Sequence, residues 1–560
     1  MIFRLPLIAL VFVFFIGNGV SQNTIADYPV DWFNLDPNKG QFNGLGTNTA
    51  YETLLKGRKS VPVIVAVIDS GVDIEHDDLD DKIWTNPNEI PNNGIDDDKN
   101  GYVDDIHGWN FIGNKNGKNV LEDSYELTRD YAAAKKYFAN KDITKLSKKD
   151  TKKYEAMIGL KKTIDSKRLA AQKNIDEAND KLESIATILE MMEGELEGKP
   201  ITKENLAAIS KQDPIVQAGK DLLSQILNYY PTVSNLDQVL KIVVDEFKPL
   251  IEKSQNELDY GYNPDENVRA LVGDNYEDLY QKGYGNNDVK GPDASHGTHV
   301  AGIIAAERGN GLGIDGIADN VRIMSLRAVP DGDERDKDIA NAIKYAVDNG
   351  AKVINMSFGK GSSPQKAVID EAVKYAQKKD VLLVHASGNS GMNNDEGNNF
   401  PTKYFIKKGW FSCKKAKNWL EVGAITPFKD ENLVANFSNY GKKSLDIFSP
   451  GYQINSTLPN QSYGIYDGTS MASPMTAGTA ALLRSYFPSL TAKQVKKIIV
   501  SSSNKINQKV RKPGSEDNMV TLDEISNSGG ILNVVNAIKL ASETKGKNKY
   551  KIPQSGDIFP

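Results

Sequence analysis

Three residue types that together perform nucleophilic acyl transfer occur in short segments rich in glycine, serine and threonine. Asp69 lies in VIDSGVD, His296 in HGTHVAG and Ser470 in GTSMASP. A serine hydroxyl is too weakly acidic to attack an amide unaided, so a neutral histidine must take its proton. A carboxylate then fixes the tautomer of that histidine and stabilises the imidazolium that forms. We therefore predict that Asp69 is the orienting acid, His296 the general base and Ser470 the nucleophile.

A group that stabilises the developing oxyanion is also predicted. Ser470 follows the Gly468-Thr469 turn and opens a helical pattern, so it is expected at a helix N-terminus. Free backbone N–H groups and the positive end of the helix dipole favour an oxyanion there. A fourth segment, HASGNSG, places Asn389 in a turn after an apolar strand pattern. Its side-chain amide is the predicted second donor.

The elements that must position these residues alternate between strands and helices. VPVIVAVI at 61–68 is typical of a buried parallel strand, and Asp69 follows at its carboxyl end. VRIMSLRAV, AKVINMSFG and VLLVHASGN repeat this pattern, and helical patterns at 338–349 and 365–379 separate them. The alternation predicts an α/β, doubly wound parallel sheet with functional residues at its carboxyl edge.

The four motifs, in the chain order Asp, His, Ser, resemble those of the subtilisin-like serine peptidases, or subtilases. The resemblance covers roughly residues 61–112 and 268–541. It implies a serine endopeptidase acting on proteins or peptides, a mainly parallel seven-stranded sheet and the oxyanion role of Asn389. It also implies two substrate-binding segments, one that pairs with extended substrate backbone and one that helps to wall the P1 pocket. These are Ser357-Phe358-Gly359 and Ala386-Ser387-Gly388, respectively.

A calcium loop is predicted at 96–105, DDDKNGYVDD. Acidic or amide oxygens at positions 1, 3 and 5, followed by glycine, resemble the opening of an EF-hand loop. Position 12 is His107 instead of the bidentate glutamate, which excludes a full EF-hand, but similar loops recur near the catalytic aspartate in related subtilases. The alternative is an Asx-rich turn without an ion. The predicted Ca²⁺ ligands are Asp96, Asp98, Asn100, Tyr102 through its carbonyl, Asp104 and Asp105.

A helical insertion lengthens the chain between two of the predicted catalytic residues. Residues 131–260 hold 4 of the 46 glycines, with 21 basic and 21 acidic side chains. Apolar residues at three- and four-residue steps within 160–189 and 236–250 predict amphipathic helices there. The insertion explains why Asp69 and His296 are so far apart in the sequence. It could pack only on itself, bind a partner, gate the substrate or assist folding.

The N-terminus has the pattern of a secretory signal peptide. An apolar run at 5–17 follows Arg4, and small residues precede Gln22, where we predict cleavage. An uncleaved N-terminal anchor is the alternative. The predicted organisation is a signal peptide at 1–21, an N-terminal extension at 22–60, a peptidase domain at 61–124 and 263–541, the helical insertion at 125–262 and a polar tail at 542–560.

Composition excludes several other classes of protein. The net charge of −6 argues against a strongly basic nucleic-acid binder. The single cysteine, Cys413, excludes an intramolecular disulfide and a cysteine-based zinc site. His296 and His299 form an H-x-x-H pair that lacks a third ligand, so zinc is not expected. We expect an exported monomer without a nucleic-acid partner or a stable membrane anchor after signal cleavage. A catalytically silent subtilase-like binding protein and a calcium-dependent interaction protein are the alternative functions.

Overall fold

The computed structural model describes residues 29–397, 399–406 and 414–548. The predicted signal peptide, Cys413 and the end of the tail lie outside the described residues. The strands are β1 (Val63–Asp69), β2 (Gly108–Asn110), β3 (Val321–Arg327), β4 (Val353–Met356), β5 (Leu382–Ala386), β6 (Trp419–Ile425), β7 (Ile447–Pro450), β8 (Ile454–Leu458), β9 (Ser462–Tyr466), β10 (Asn504–Lys505), β11 (Val510–Arg511), β12 (Met519–Val520) and β13 (Gly530–Ile531). The helices are α1 (Glu126–Phe138), α2 (Lys148–Leu196), α3 (Lys203–Ala208), α4 (Pro214–Tyr229), α5 (Leu236–Asn256), α6 (Ser295–Ala305), α7 (Asp336–Asp348), α8 (Lys366–Lys378), α9 (Thr469–Tyr486), α10 (Ala492–Ser501), α11 (Leu522–Ile525) and α12 (Val534–Glu543).

In the described part of the chain, nine strands form the central sheet in the order β10-β13-β7-β6-β5-β4-β1-β3-β2. Neighbouring strands from β13 to β2 pair in parallel, and β10 pairs antiparallel with β13. The mainly parallel α/β sheet is thus confirmed. It has nine strands where seven were expected, because β13 and β10, of two residues each, extend the β7 edge. Strands this short leave no hydrophobic pattern in a sequence.

Strand β1 is buried on both faces, which is why its sequence is almost continuously apolar. Val65 and Val67 belong to the core that also contains side chains of α6 and α9. Ala66 and Ile68 belong to the opposite core, with side chains of α7 and α8. Because successive side chains of a strand point to opposite faces, a shift of register by one residue would exchange the two sets. The position of Asp69 at the end of β1 is fixed by this packing.

The chain before β1 is part of the first of these cores. Trp32, Phe33 and Leu45 are fully buried there. The backbone N–H of Val534, the first residue of α12, donates to the Leu45 carbonyl at 2.9 Å. The described part of the predicted N-terminal extension is therefore integrated into the same hydrophobic core as β1.

The chain divides into two compact units. Among the described residues, one unit is Thr128–Glu266 and the other comprises the residues on both sides of it. The first unit is helical, and α2, α4 and α5 share its hydrophobic core. No helix in the described part of the chain is both long and apolar enough to cross a membrane. The buried residues of α2 follow the predicted three- and four-residue steps and include Ile164, Ala171, Ile175, Ala178, Ile185 and Leu189.

Candidate active site

Asp69 and His296 meet where the end of β1 faces the N-terminus of α6. His296 Nδ1 lies 2.7 Å from Asp69 Oδ1, and the Ser70 backbone N–H donates to the same oxygen at 2.8 Å. Asp69 is buried, whereas the His296 side chain is 37% exposed and open to a substrate. The close approach depends on Gly297, where a Cβ atom would lie 2.0 Å from the Gly71 carbonyl oxygen. The glycine after the histidine therefore lets α6 reach the Asp69 turn.

The electrostatic surroundings of His296 favour its protonated form. Burial alone would lower the pKa of His296, but the charge of Asp69 and its hydrogen bond raise it, and the charge of Asp293 adds to this. The net result is a pKa above the ordinary value for histidine. The imidazole is therefore a stronger base than a free histidine, and it becomes neutral only at a higher pH.

Ser470 is the second residue of α9 and is half-buried. Its Oγ donates to the Ser357 carbonyl at 3.1 Å, and Ser357 Oγ donates to the Ser470 carbonyl at 2.8 Å. No hydrogen bond joins Ser470 Oγ to His296 in the part of the chain that is described. Since a hydroxyl changes its partner by rotation about one bond, catalytic hydrogen bonds often form only when substrate binds. The structure thus places Ser470 against the end of β4.

Asn389 lies beside the N-terminus of α9 and is exposed. Its Oδ1 accepts hydrogen bonds from the backbone N–H and the hydroxyl of Thr469, at 2.9 and 2.8 Å. With Oδ1 engaged in this way, the Nδ2 group remains as a donor. Sequence reasoning missed this role of Thr469, although its position directly before Ser470 is a signal that could have indicated it.

Asn399 bonds to one of the two predicted substrate-binding segments and lies close to the other. Gly359, in the chain that continues β4, has an exposed backbone. Asn399 Nδ2 donates to the carbonyls of Ala386 and Ser387 at 3.2 and 2.9 Å. A Cβ at Gly359 would lie 2.5 Å from Asn399 Oδ1, and one at Gly388 would lie 3.4 Å from Asn399 Cγ. Asn399 has no motif of its own in the sequence and was therefore missed. The remaining members of these segments are Ser357 and Phe358, at the end of β4.

The acidic loop brings Asp96 and Asp98 together with Glu89, a residue that sequence reasoning missed. One carboxylate oxygen from each of the three lies within 4.8 Å of the others. Glu89 Oε1 accepts from the Asp98 backbone N–H at 3.1 Å. Glu89 Oε2 is buried and has no hydrogen-bond partner among the described residues. Burial raises the pKa of Glu89, and the charge of Asp98 contributes in the same direction.

The other predicted calcium ligands surround this cluster to different degrees. Asn100 Nδ2 donates to carboxylate oxygens of Asp98 and Asp105, at 3.2 and 3.0 Å. Burial raises the pKa of Asp105 to about 6, although hydrogen bonds, the largest from Tyr345, oppose the shift. Asp104 lies outside the cluster of three carboxylates, and its own carboxylate accepts from the backbone N–H groups of Asn93 and Gly94.

Tyr102 is the ligand that is predicted to act through its backbone carbonyl, and its side chain packs in the hydrophobic core. Its ring packs edge-on against Trp109 and Tyr345, with ring centroids 5.1 and 5.0 Å apart. The ring therefore holds the loop to the core that contains α7.

His299, one helical turn after His296, has a structural environment. Its Nε2 lies 2.9 Å from the Ile454 carbonyl and 3.1 Å from the Gly464 carbonyl. The ring stacks on Tyr466, and burial lowers the pKa of His299 to about 3. A neutral imidazole is therefore fixed between α6 and the hairpin of β8 and β9.

The chain is similar in sequence to known serine proteinases. The chain is 33% identical over 312 residues to the thermophilic serine proteinase of Bacillus sp. strain AK1, which covers 55% of this chain and 70% of that protein. It is 36% identical over 214 residues to subtilisin NAT of Bacillus subtilis subsp. natto, covering 38% of this chain and 51% of that protein. This chain therefore matches about half the length of subtilisin NAT. A solved structure of the prenylagaramide maturation protease is 29% identical, covers 45% of this chain and 83% of its own, and has a TM-score of 0.35.

The similarity to the thermophilic serine proteinase, together with the mainly parallel α/β sheet, identifies a serine-type endopeptidase of the subtilisin type. The model of the subtilase family matches residues 61–521. The chain belongs to the subtilase family.

Proposed function

We propose that the protein is an exported endopeptidase that hydrolyses peptide bonds with Ser470, His296 and Asp69. The observation that supports this best is the 2.7 Å contact between His296 Nδ1 and Asp69 Oδ1. This contact fixes the tautomer in which Nε2 is free to accept a proton. Labelling with a fluorophosphonate, together with hydrolysis of casein, tests the proposal. A folded preparation that is not labelled and does not hydrolyse casein would instead support one of the two alternatives, a catalytically silent binding protein or a calcium-dependent interaction protein.

The proposed reaction has two halves that use the same imidazole. Ser470 Oγ attacks the peptide carbonyl carbon while His296 Nε2 takes the hydroxyl proton, and the tetrahedral intermediate forms. His296 then gives this proton to the leaving amine nitrogen, and the C–N bond breaks to leave an acyl-enzyme. In the second half a water molecule loses a proton to His296 and attacks the carbonyl carbon of the ester. The bond between this carbon and Ser470 Oγ then breaks, the proton passes from His296 to Oγ, and the carboxylic acid product leaves. Asp69 stays ionised and stabilises the imidazolium in both halves.

We propose that Asn389 Nδ2 and the backbone N–H of Ser470 stabilise the oxyanion. The Asn389→Ala variant should lower kcat by about 10²–10³-fold with little change in KM, since the donor acts mainly in the transition state. Steady-state kinetics on a chromogenic peptide measure this. A Thr469→Val variant, which keeps the amide but removes one of the two donors to Asn389 Oδ1, should show a smaller loss. An Asn389→Ala variant with unchanged kcat would contradict the proposed role.

Substrate binding is proposed along two edges. Extended substrate backbone would pair with Ser357-Phe358-Gly359, and the exposed backbone of Gly359 supports this. The P1 side chain would lie beside Ala386-Ser387-Gly388, with Asn399 between the two segments. An adjoining cavity of about 530 Å³ has Asn399, Lys403 and Glu421 in its lining.

We propose a structural Ca²⁺ at the acidic loop, with Glu89 added to the predicted ligands Asp96 and Asp98. The donors fit this cation, because Ca²⁺ prefers several carboxylate oxygens. The buried, unpartnered Oε2 of Glu89 supports the site, since an uncompensated buried charge is costly and a bound cation would satisfy it. Asn100, Tyr102, Asp104 and Asp105 remain proposed ligands on sequence grounds.

Removal of calcium should lower the melting temperature. Chelation leaves three neighbouring carboxylates without a counter-charge, and their repulsion destabilises the folded state. Thermal unfolding with EGTA, against excess Ca²⁺, measures the effect. Glu89→Gln should reduce the stabilisation that Ca²⁺ gives. Glu155→Gln, at an exposed position of α2, is the matched control and should not. An unchanged melt on chelation would refute the calcium site.

The export and domain organisation are proposals as well. We propose cleavage before Gln22, a peptidase domain at 61–124 and 263–541, and a helical insertion at 125–262. The division into two compact units with a boundary at Thr128 and Glu266 supports the insertion. N-terminal sequencing of exported protein tests the cleavage site, and light scattering tests the proposed monomer.

A further inference from the structure

The charges of the helical unit are segregated along the chain. Residues 135–173, here called the basic segment, contain 13 lysine and arginine side chains and 4 acidic ones, a net charge of +9. Residues 174–260 contain 8 basic and 17 acidic side chains, a net charge of −9. The near-neutral composition of the insertion therefore conceals two strongly charged halves. A net charge of this size within 39 residues creates a local positive field.

Most of this positive charge faces solvent without an acidic partner. Ion pairs with described residues engage Lys135, Lys141, Lys145, Lys161 and Lys173. A further seven lysines are exposed and form no ion pair within the described ranges, although Lys153 lies over the Tyr137 ring. These are Lys136, Lys148, Lys149, Lys152, Lys153, Lys162 and Lys167.

The unpaired lysines do not stabilise the helix that carries them. α2 begins at Lys148, so Lys148, Lys149 and Lys152 lie at the positive end of the helix dipole, where a cation is unfavourable. The first buried side chain of α2 is Ile164, more than four turns from its start. The beginning of α2 packs on α1 through Tyr154 and Phe138, and its lysines lie on the sides that face solvent. They extend over about 39 Å if the helix is counted to residue 173 at 1.5 Å per residue.

Exposed apolar side chains lie among these lysines. Tyr137, Ile143, Ile158 and Leu169 are 44%, 54%, 46% and 72% exposed. Ile158 and Leu169 share one face of α2, because eleven residues make just over three complete turns. Lys162 lies four residues after Ile158 and therefore flanks the same face. Asp165 lies between Ile158 and Leu169 on this face, and Lys161, which pairs with it, flanks the other side.

We propose that the basic segment docks reversibly on a bilayer that contains anionic phospholipids. The lysines would lie at the phosphate groups, and Ile158 and Leu169 would insert between the headgroups. A nucleic acid or another hydrated polyanion would also attract the lysines, but it offers no apolar layer for these two side chains. Such docking would hold the peptidase at a membrane surface without a membrane-spanning segment.

Vesicle sedimentation with the full chain tests this docking. The Ser470→Ala background prevents self-digestion, and the readout does not depend on peptidase activity. Binding to vesicles of phosphatidylcholine and phosphatidylglycerol should exceed binding to pure phosphatidylcholine and should weaken as salt is raised. Replacing Lys148, Lys149, Lys152 and Lys162 with Gln should lower the partition coefficient at least about 100-fold, since each lysine contributes roughly fivefold. Ile158→Ser with Leu169→Ser should weaken binding further at constant charge.

A matched variant removes the same number of charges outside the basic segment. Replacing the exposed residues Lys199, Lys203, Lys241 and Lys253 with Gln should leave vesicle binding within about twofold of the parent, because they lie in the acidic half. Equal loss in both variants, equal binding to neutral vesicles or no binding to either would overturn the proposal. Tighter binding to duplex DNA than to anionic vesicles would overturn it in favour of a nucleic acid. Salt-dependent dimerisation that the four-lysine variant abolishes, without vesicle binding, would overturn it in favour of a second copy.

Discussion

Replacing Ser470 with alanine is expected to abolish fluorophosphonate labelling and to lower kcat by about 10⁴–10⁶-fold. The hydroxyl oxygen is the only atom of this residue that can form the ester bond of the acyl-enzyme. Without it the site should still bind substrate but should not become acylated. The remaining oxyanion donors would still support slow hydrolysis by water. Labelling followed by mass spectrometry locates the modified residue, and peptide hydrolysis gives kcat.

The variant must stay folded for this result to be informative. Within the described ranges, Ser470 Oγ makes one hydrogen bond, to the Ser357 carbonyl, so its removal should cost about 1 kcal/mol of unfolding free energy. Ser542, an exposed serine of α12, offers a control: Ser542→Ala should keep full labelling and activity. A Ser470→Ala protein that is still labelled at the parent rate would show that another residue is the nucleophile.

The second large effect is expected from Asp69→Asn, which should lower kcat by about 10⁴-fold near neutral pH. The asparagine keeps the size of the side chain but removes the negative charge that stabilises the imidazolium. It can also present an N–H to Nδ1, which favours the unproductive tautomer. KM should change little, because Asp69 is buried and does not touch the substrate.

The same substitution should shift the titration of His296. In the parent protein the Asp69 charge raises the pKa of His296, so activity should fall, as pH decreases, through a midpoint above the usual 6.5 or so. Removing that charge should move the midpoint to lower pH. Because the chain has 5 histidines, ¹³C-histidine NMR can follow each one, and His296→Ala identifies the relevant signal.

Asp293→Asn is the matched control for this shift. It removes a carboxylate that raises the pKa of His296 less than Asp69 does. Its shift should have the same sign but a smaller size, and kcat should stay close to the parent value. An unchanged midpoint in Asp69→Asn would refute the electrostatic role of Asp69.

The parts of the fold that the sequence predicted are those whose signals are local. β1 is recognisable because a strand buried on both faces needs an unbroken apolar run, and Val65 to Ile68 supply it. Ser470 is recognisable because the residues that surround it in the folded site include Gly468 and Thr469, which directly precede it in the chain. The helices of the insertion are recognisable from the three- and four-residue spacing of their buried side chains.

The rest depends on contacts between distant positions. Asn399 is 40 residues from Gly359 in the chain, and no sequence pattern links the two residues, which come together only in the folded protein. Glu89 joins Asp96 and Asp98 only because its turn folds back over the loop. Similarly, nothing near Trp32 indicates that it packs into the core shared with α12. These features follow from tertiary geometry, which composition and periodicity do not encode.

The position of the helical unit between β1 and β3 also has a consequence for the order of folding. Val63 pairs with Val321, and the 139 residues of Thr128–Glu266 make up more than half of the chain between these strands. At equilibrium the added length costs little, because doubling a loop costs only about 0.6 kcal/mol. In time it matters more, because β1 emerges from the ribosome long before its partner strand does. The contacts of the helical unit are within its own segment, so it should fold before β1 can pair with β3. Formation of the central sheet should therefore be late and slow.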